Sequence, residues 1–314
     1  MSRAAPRRPS LRVPSYAKVN LGLEVLGQRQ DGYHELRTLF QTISLHDDLE
    51  LRPAREVVVR CSHPGVPADQ TNLAARAALA LRRYARRDEG VEIAIEKRIP
   101  VGGGLGGGSS NAAATLLALD RWWGLGLGRA GLLPLARNLG ADVPFFLFGG
   151  TALGLARGDE VYPLRRQVKG HLVLALPGRP VSTAAVFARI DTRLTPRENS
   201  HNIFRFVSSD LGGSSALRVL VNELESAALE EAPDLKHQVR RIRGFLVRDG
   251  ALLASLSGSG SSYFGLFDDA QSAGRAQAAL RGAGFHALRA RTLSLDQYAR
   301  AWSRSLGMPR TAAK

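Results

Sequence analysis

Residues 99 to 120, IPVGGGLGGGSSNAAATLLALD, place six glycines in seven positions and then run into a stretch of good helix formers. Each glycine in a regular element costs about 0.5 to 1 kcal/mol relative to alanine. So dense a cluster makes sense only where the backbone must take conformations closed to other residues. The preceding VEIAIEKRI reads as a strand, and Ser109 or Ser110 opens a helix expected to run to about Trp123 and stop at Gly124. Strand, glycine loop and helix in that order let backbone N–H groups and the positive end of a helix hold a phosphate. A plain hinge is the competing reading, but a hinge has no need of Ser-Ser feeding a strong helix.

Two common phosphate loops are excluded. A Walker loop requires Gly-Lys-Ser/Thr, whereas here Gly108 is followed directly by Ser109. Gly102, Gly104 and Gly107 satisfy the dinucleotide GxGxxG spacing, with Asp120 falling at about the right distance beyond. Asp120, however, belongs to the loop's own helix, while the ribose-binding acid of that fold ends a second strand; Pro100 also separates strand from glycines. A phosphate loop of a third kind remains.

Around it the chain alternates strand and helix patterns. YAKVNLGLEVL, LFQTISL, DLELRP and VVVRC read as strands, with Asp31-Gly32 marking a turn. NLAARAALALRRY is an amphipathic helix capped by Thr71 or Asn72, and LLPLARNLG is a second helix ending at Gly140. Asp142 occupies a cap position before Val143-Pro144. TALGLARGDEVYPL is a hairpin about Gly158-Asp159. After RRQVK a fresh strand begins at HLVLALPG, which places a domain boundary at 165/166. Helices are expected near 182–191 and over 216–229, 234–248 and 270–282, with a polar stretch at TPRENSHN. SLSGSGSSYFGLF reads as strand, glycine turn, strand, and HALRARTL as a last strand. The fold class is α+β, since both halves mix hairpins with helices.

At 314 residues two domains with their own cores are expected. Cys61, the only cysteine, excludes an internal disulfide and a multi-cysteine metal site, and fits a reducing, cytoplasmic setting. No apolar run approaches the roughly 20 residues of a membrane span. The net charge of +15 comes almost wholly from arginine, the lysines being Lys18, Lys97, Lys169, Lys236 and Lys314. Those arginines are dispersed and not interleaved with aromatics, which favours a solvated surface over a nucleic-acid face. The first 23 residues carry no acid, and Pro6, Pro9 and Pro14 break any helix, so a disordered basic tail is expected and not a transit peptide.

The pattern Pro-x3-Gly-Leu-x3-Ser-Ser-x-Ala-Ala, here Pro100 to Ala113, resembles the central motif of the GHMP kinases. PSYAKVNLGLEVLGQRQDGYHEL, LGADVPFFLFGGTALGLARGDEV, NELE and SGSGSSYFGLF extend the likeness, in order, from about residue 14 to 268, toward the member acting on a cytidine-diphosphate-linked polyol. The resemblance implies a two-domain GHMP kinase fold: a ribosomal-protein-S5-like ATP-binding domain over 1–165 and a ferredoxin-like domain over 166–314. It implies ATP as phosphoryl donor, accompanied by Mg2+, for which spacing picks out no acidic ligand.

Residue by residue, the resemblance makes Asp142 the catalytic aspartate and Lys18 its neighbouring lysine. Asn20 would position the acceptor, and Tyr33, His34 and Phe187, with Thr183 one turn before it, would receive the cytidine. Pro100, Gly102, Gly103, Gly104, Leu105, Gly106, Gly107, Gly108, Ser109 and Ser110 would surround the ATP phosphates, with Thr71, Asn72 and Lys97 near the adenosine. Gly258 and Gly260 would form a second glycine turn toward substrate phosphates. Tyr263 is bulkier than that motif leads one to expect, and the tail before Leu11 has no counterpart in it. The expected partners are small molecules, with no nucleic acid and no membrane, in a monomer or weak homodimer.

Overall fold

The computed structural model describes residues 10–191, 202–208 and 214–306. The basic tail before residue 10 and nearly all of TPRENSHN lie outside them. The chain runs β1 (Leu11–Gln28), β2 (His34–Ala54), β3 (Val58–Cys61), α1 (Leu73–Tyr84), β4 (Gly90–Glu96), α2 (Gly107–Trp123), α3 (Gly128–Leu139), α4 (Val143–Phe148), β5 (Thr151–Leu155) and β6 (Glu160–Pro163). It continues through β7 (His171–Leu176), α5 (Thr183–Asp191), α6 (Asn202–Ser208), a 3-10 turn (Ser214–Leu217), α7 (Leu224–Glu231) and α8 (Pro233–Arg248). Last come β8 (Leu253–Leu256), β9 (Tyr263–Phe267), α9 (Ala270–Gly282), β10 (His286–Arg291) and α10 (Leu295–Ser305).

Strands β1–β6 make one sheet in the order β3-β4-β2-β5-β6, with β1 paired to β2; the second sheet is β10-β7-β9-β8. Among the described strands β3 and β4 are the parallel neighbours, and an isolated parallel bridge joins Leu23 to Asn222. The long β1–β2 hairpin is in register from Leu11↔Leu51 to Gln28↔His34, interrupted by three irregularities that flank Lys18, Gly22 and Gly27. The sheets stack face to face, because period-two alternation gives the central strands β7 and β9 two apolar faces. Leu172, Leu174, Phe264 and Leu266 join Val19, Leu21 and Leu39 of the first sheet. Val173, Ala175, Tyr263 and Phe267 turn the other way, toward Ala227, Ile242, Leu246 and Leu280 of α7, α8 and α9. On the outer face of the first sheet, α1, α2 and α4 bury their apolar stripes over Leu49, Leu51, Ile93 and Ile95. The layers are therefore helix, sheet, sheet, helix.

Several local expectations change in this context. LFQTISL and DLELRP are one strand, because the intervening His46 and Asp47 continue the ladder with β1, and Asp47 is fully buried as a hydrogen-bond acceptor. β1 begins at Leu11 and runs through Pro14, which an edge strand tolerates. The helix expected over 216–229 is divided into the 3-10 turn and α7, because the residues between them give their backbone to β1: Leu23 N–H donates to Val221 O at 2.9 Å. α2 starts at Gly107, before the serines, behind an N-cap Gly106 at φ 70°, and ends at Gly124 as expected.

Candidate active site

Lys18 and Asn20 lie on β1 at positions between Ala17, Val19 and Leu21, which enter the core between the sheets. The Lys18 side chain is only 4% exposed. Burying an ammonium costs several kcal/mol unless it is paired, and this one is paired twice. Its Nζ donates to Asn20 Oδ1 at 2.6 Å and lies 3.2 Å from Asp142 Oδ2. Asn20 is itself oriented, its Nδ2 donating to Thr38 Oγ1 at 2.7 Å and Thr38 in turn donating to Gly22 O. Asp142 precedes α4, whose Val143, Pro144, Phe145, Phe146 and Leu147 are all buried. It holds the cap position with no side-chain capping bond, so the carboxylate is spent on Lys18 and not on the helix. At 33% exposure it reaches solvent on one side and the buried ammonium on the other.

The glycine loop is fastened at both ends. Asp47 accepts from the Arg98 and Ile99 N–H groups and from Lys97 Nζ, each at 2.8 Å. Leu105 is buried in the core between the sheets, and its carbonyl accepts from Lys18 N–H at 3.0 Å. Gly102, Gly104 and Gly106 all have φ near +70°, which a non-glycine residue takes only under strain. What fills the missing side-chain positions is protein: an added Cβ at Gly106 would stand 2.7 Å from the Phe146 ring and 3.1 Å from Lys18 Cγ, and one at Gly104 would collide with the Ser257 carbonyl. No side chain caps α2, so the first-turn N–H groups at its positive end are free of a capping partner and fit an anion. Ser110 is buried, with its hydroxyl 2.7 Å from that of Ser15; Ser109 is partly exposed.

Ser257 to Ser262, between β8 and β9, form the second glycine turn. Ser257 Oγ donates to Gly104 O at 2.9 Å and Ser262 N–H to Gly103 O at 3.2 Å, joining the two glycine segments. Gly258 faces the reacting pair: an added Cβ there would lie 3.3 Å from Asn20 Oδ1 and 3.6 Å from Lys18 Nζ. Gly260 has φ +91° and packs on Leu256. Thr183 and Ser259 hydroxyls are 2.7 Å apart, which ties α5 to this turn.

His34 and Phe187 stack on each other at 4.6 Å and 26°. They form one wall and are not two separate jaws. Tyr33 is exposed, with the Arg157 guanidinium 4.8 Å from its ring; Asp159 holds that guanidinium at 2.6 Å. The three residues expected near the adenosine each make hydrogen bonds within the chain, and Asn72 fills the cap position expected of it or of Thr71. Asn72 caps α1 through Ala74 N–H and donates to Pro67 O, Thr71 bonds Asp69, and Lys97 Nζ is buried against Asp47 and Ile99 O. Pro100 is half-buried, and Leu105 is an anchor whose side chain is buried in the core between the sheets.

Sequence reasoning missed Asp47, Thr38, Ser257 and Arg157. Asp47 fell between two strand patterns and carried no signal of its own, and the other three are ordinary strand or hairpin residues. Asn222 was visible only as part of the block NELE. Among the described residues no helix is long and apolar enough to cross a membrane.

Residues 72–150 match the family described as GHMP kinases N terminal domain, and residues 215–286 that described as GHMP kinases C terminal. A 4-diphosphocytidyl-2-C-methyl-D-erythritol kinase of Chlorobium luteolum is 41% identical over 272 residues, covering 85% of this chain and 92% of its own. The protein of that name from Gloeobacter violaceus is 43% identical over 279 residues, covering 87% and 91%. A solved structure of 4-(cytidine 5'-diphospho)-2C-methyl-D-erythritol kinase is similar with a TM-score of 0.73 at 37% identity, over 90% of this chain and 99% of that one.

Proposed function

The chain belongs to the GHMP kinases and, within them, to the 4-diphosphocytidyl-2-C-methyl-D-erythritol kinases, and on that premise we propose how its residues perform the reaction. The enzyme transfers the γ-phosphoryl group of ATP to the 2-hydroxyl of 4-diphosphocytidyl-2-C-methyl-D-erythritol, giving the 2-phosphate and ADP, in non-mevalonate isoprenoid biosynthesis. The observation that carries the assignment of roles is the Lys18–Asp142 pair, 3.2 Å apart, beside the point where the two glycine segments meet.

Asp142 accepts the proton of the 2-hydroxyl as its oxygen bonds to the γ-phosphorus and the bond to the β-phosphate oxygen breaks. Lys18 holds the carboxylate in place and offsets negative charge on the acceptor. Asn20, locked by Thr38, receives the acceptor. The N–H groups of the glycine loop and the uncapped start of α2 hold the ATP phosphates. Tyr33 takes one face of the cytosine, with the His34–Phe187 wall beside it. Bound with ATP, magnesium would neutralise charge on the phosphates; among the described residues no group of three or more His, Cys, Asp or Glu is placed to hold a metal.

In this reading residues 1–165 bind ATP and 166–314 complete the acceptor site, in a cytoplasmic monomer or weak homodimer. A coupled assay with ATP and the cytidyl substrate, set beside mevalonate and homoserine, tests it. Turnover of the cytidyl substrate alone is expected; a preference for either other alcohol would overturn the substrate assignment.

A further inference from the structure

Asn222 touches no part of the expected substrate path, yet every hydrogen-bonding group of its side chain is engaged at the edge of that path. It is 6% exposed. Its Nδ2 donates to Leu256 O at 2.9 Å and to Gly258 O at 2.8 Å, and its Oδ1 accepts from Leu224 N–H at 3.0 Å. One carboxamide thus joins the end of β8, the second glycine turn and the start of α7. The segment that carries it is docked on β1. Leu23 N–H donates to Val221 O and Glu223 N–H to Leu23 O, both at 2.9 Å, and Val25 N–H donates to Glu223 Oε2 at 2.7 Å. β1 is also the strand of Lys18 and Asn20.

We propose that Asn222 is a positioning residue for phosphoryl transfer, holding Gly258 against Lys18 and Asn20 so that the acceptor hydroxyl and the γ-phosphoryl group meet in line. Gly258, at φ +57°, leaves its side-chain position within 3.3 Å of Asn20 Oδ1. The Ser257 and Ser262 bonds to Gly104 and Gly103 restrain the turn from the ATP side, and Asn222 restrains it from the acceptor side. Loss of the second restraint lets the turn move away from β1 while the glycine loop stays in place. A misplacement of about 1 Å at a reacting centre costs on the order of 10²-fold in rate.

The inference rests on the kinase reading above. Failure of that reading appears as no transfer to the cytidyl substrate by the unsubstituted protein, whereas failure of the inference appears only in the variants. Asn222→Ser keeps a hydroxyl able to cap Leu224 N–H but cannot reach both carbonyls. Asn222→Asp keeps the size and the cap but replaces the donors by an oxygen facing two carbonyl oxygens. For Asn222→Ser, kcat for the cytidyl substrate should fall by about 10- to 100-fold with KM for ATP changed by less than about twofold. The ratio of free phosphate, released when water attacks ATP, to phosphorylated acceptor should rise. For Asn222→Asp, activity relative to the unsubstituted enzyme should recover as pH falls, since a protonated carboxyl regains one donor, beginning above the ordinary aspartate value of about 3.9 because the carbonyls favour the neutral form. A parallel fall of transfer and hydrolysis, an unchanged kcat, a flat relative pH profile, or failure of both variants to fold would each overturn the proposal and leave Asn222 a strut of the scaffold.

Discussion

Two demands meet at Lys18, because a buried ammonium must be neutralised for the fold and must remain available to the chemistry. Removing it leaves Asp142 a third exposed, so water takes over that carboxylate, while the buried Asn20 Oδ1 loses its donor. An unmet buried acceptor costs about 1 to 3 kcal/mol. Lys18→Met is therefore expected to fold with a modest loss in Tm and to lose most of its kcat. Asp142→Asn should lower kcat by about 10² to 10⁴-fold, the usual weight of a general base, with ATP and cytidyl-substrate affinities by calorimetry changing far less. Because the two groups act on one hydroxyl, the double variant should be hardly slower than the worse single one. A full-rate Asp142→Asn enzyme would remove the aspartate from the mechanism. Local sequence alone reads Asp142 as a helix cap and the family motif reads it as the partner of Lys18; the structure has the 3.2 Å contact and no side-chain capping bond.

The glycine loop behaves as an element in its own right, and its glycines do different jobs. Gly104, at φ +72°, packs against the backbone of the second glycine turn, whereas Gly108 is helical with only ordinary contact to Leu73 at 3.4 Å. A non-glycine residue in the left-handed region costs about 1 to 2 kcal/mol before any collision. Gly104→Ala should lower Tm and weaken both substrates together, because the loop and the turn separate. Gly108→Ala should melt at or above the parent temperature, alanine being the better helix former by about 1 kcal/mol. Equal melting of the two variants would refute this division of roles. A second element effect concerns α7, where burial pushes the Glu225 carboxyl above the usual glutamate range. Such a group contributes stability that is fully present below its unfolded value of about 4.3 and is lost as pH rises through its raised folded value. The Tm of Glu225→Gln should thus gain on the parent as pH rises from about 4 toward neutrality; a constant difference in Tm would count against it.

At the scale of the whole molecule, the last helix returns to the first core. Tyr298 of α10 is buried, its ring packs against Gly149 and its hydroxyl donates to Phe146 O, so the chain's end supports the helix that presents Asp142. Tyr298→Ala should cost about 3 to 5 kcal/mol, as large aromatic truncations do, and should lower kcat as well. Tyr298→Phe keeps the ring and should cost about 1 kcal/mol. An alanine variant with the parent's Tm would show that α10 is merely appended. The sequence by itself determined the strand-loop-helix at 91–124, the alternation that makes β7 and β9 two-faced, and the blocks that place Lys18, Asp142 and Gly258 in one family of sites. These are local patterns of period two or 3.6, or glycines whose backbone freedom is written in the residue type. Only the tertiary structure decided that Asp47 fastens the glycine loop and pairs with Lys97, that His34 stacks on Phe187, and that Asn222 spans the second turn. The partners that matter lie about 30 to 150 positions away: backbone N–H and C=O groups for Asp47 and Asn222, an aromatic ring for His34. Every residue except proline offers the same pair of those groups, so no residue type announces which of them a buried side chain will find.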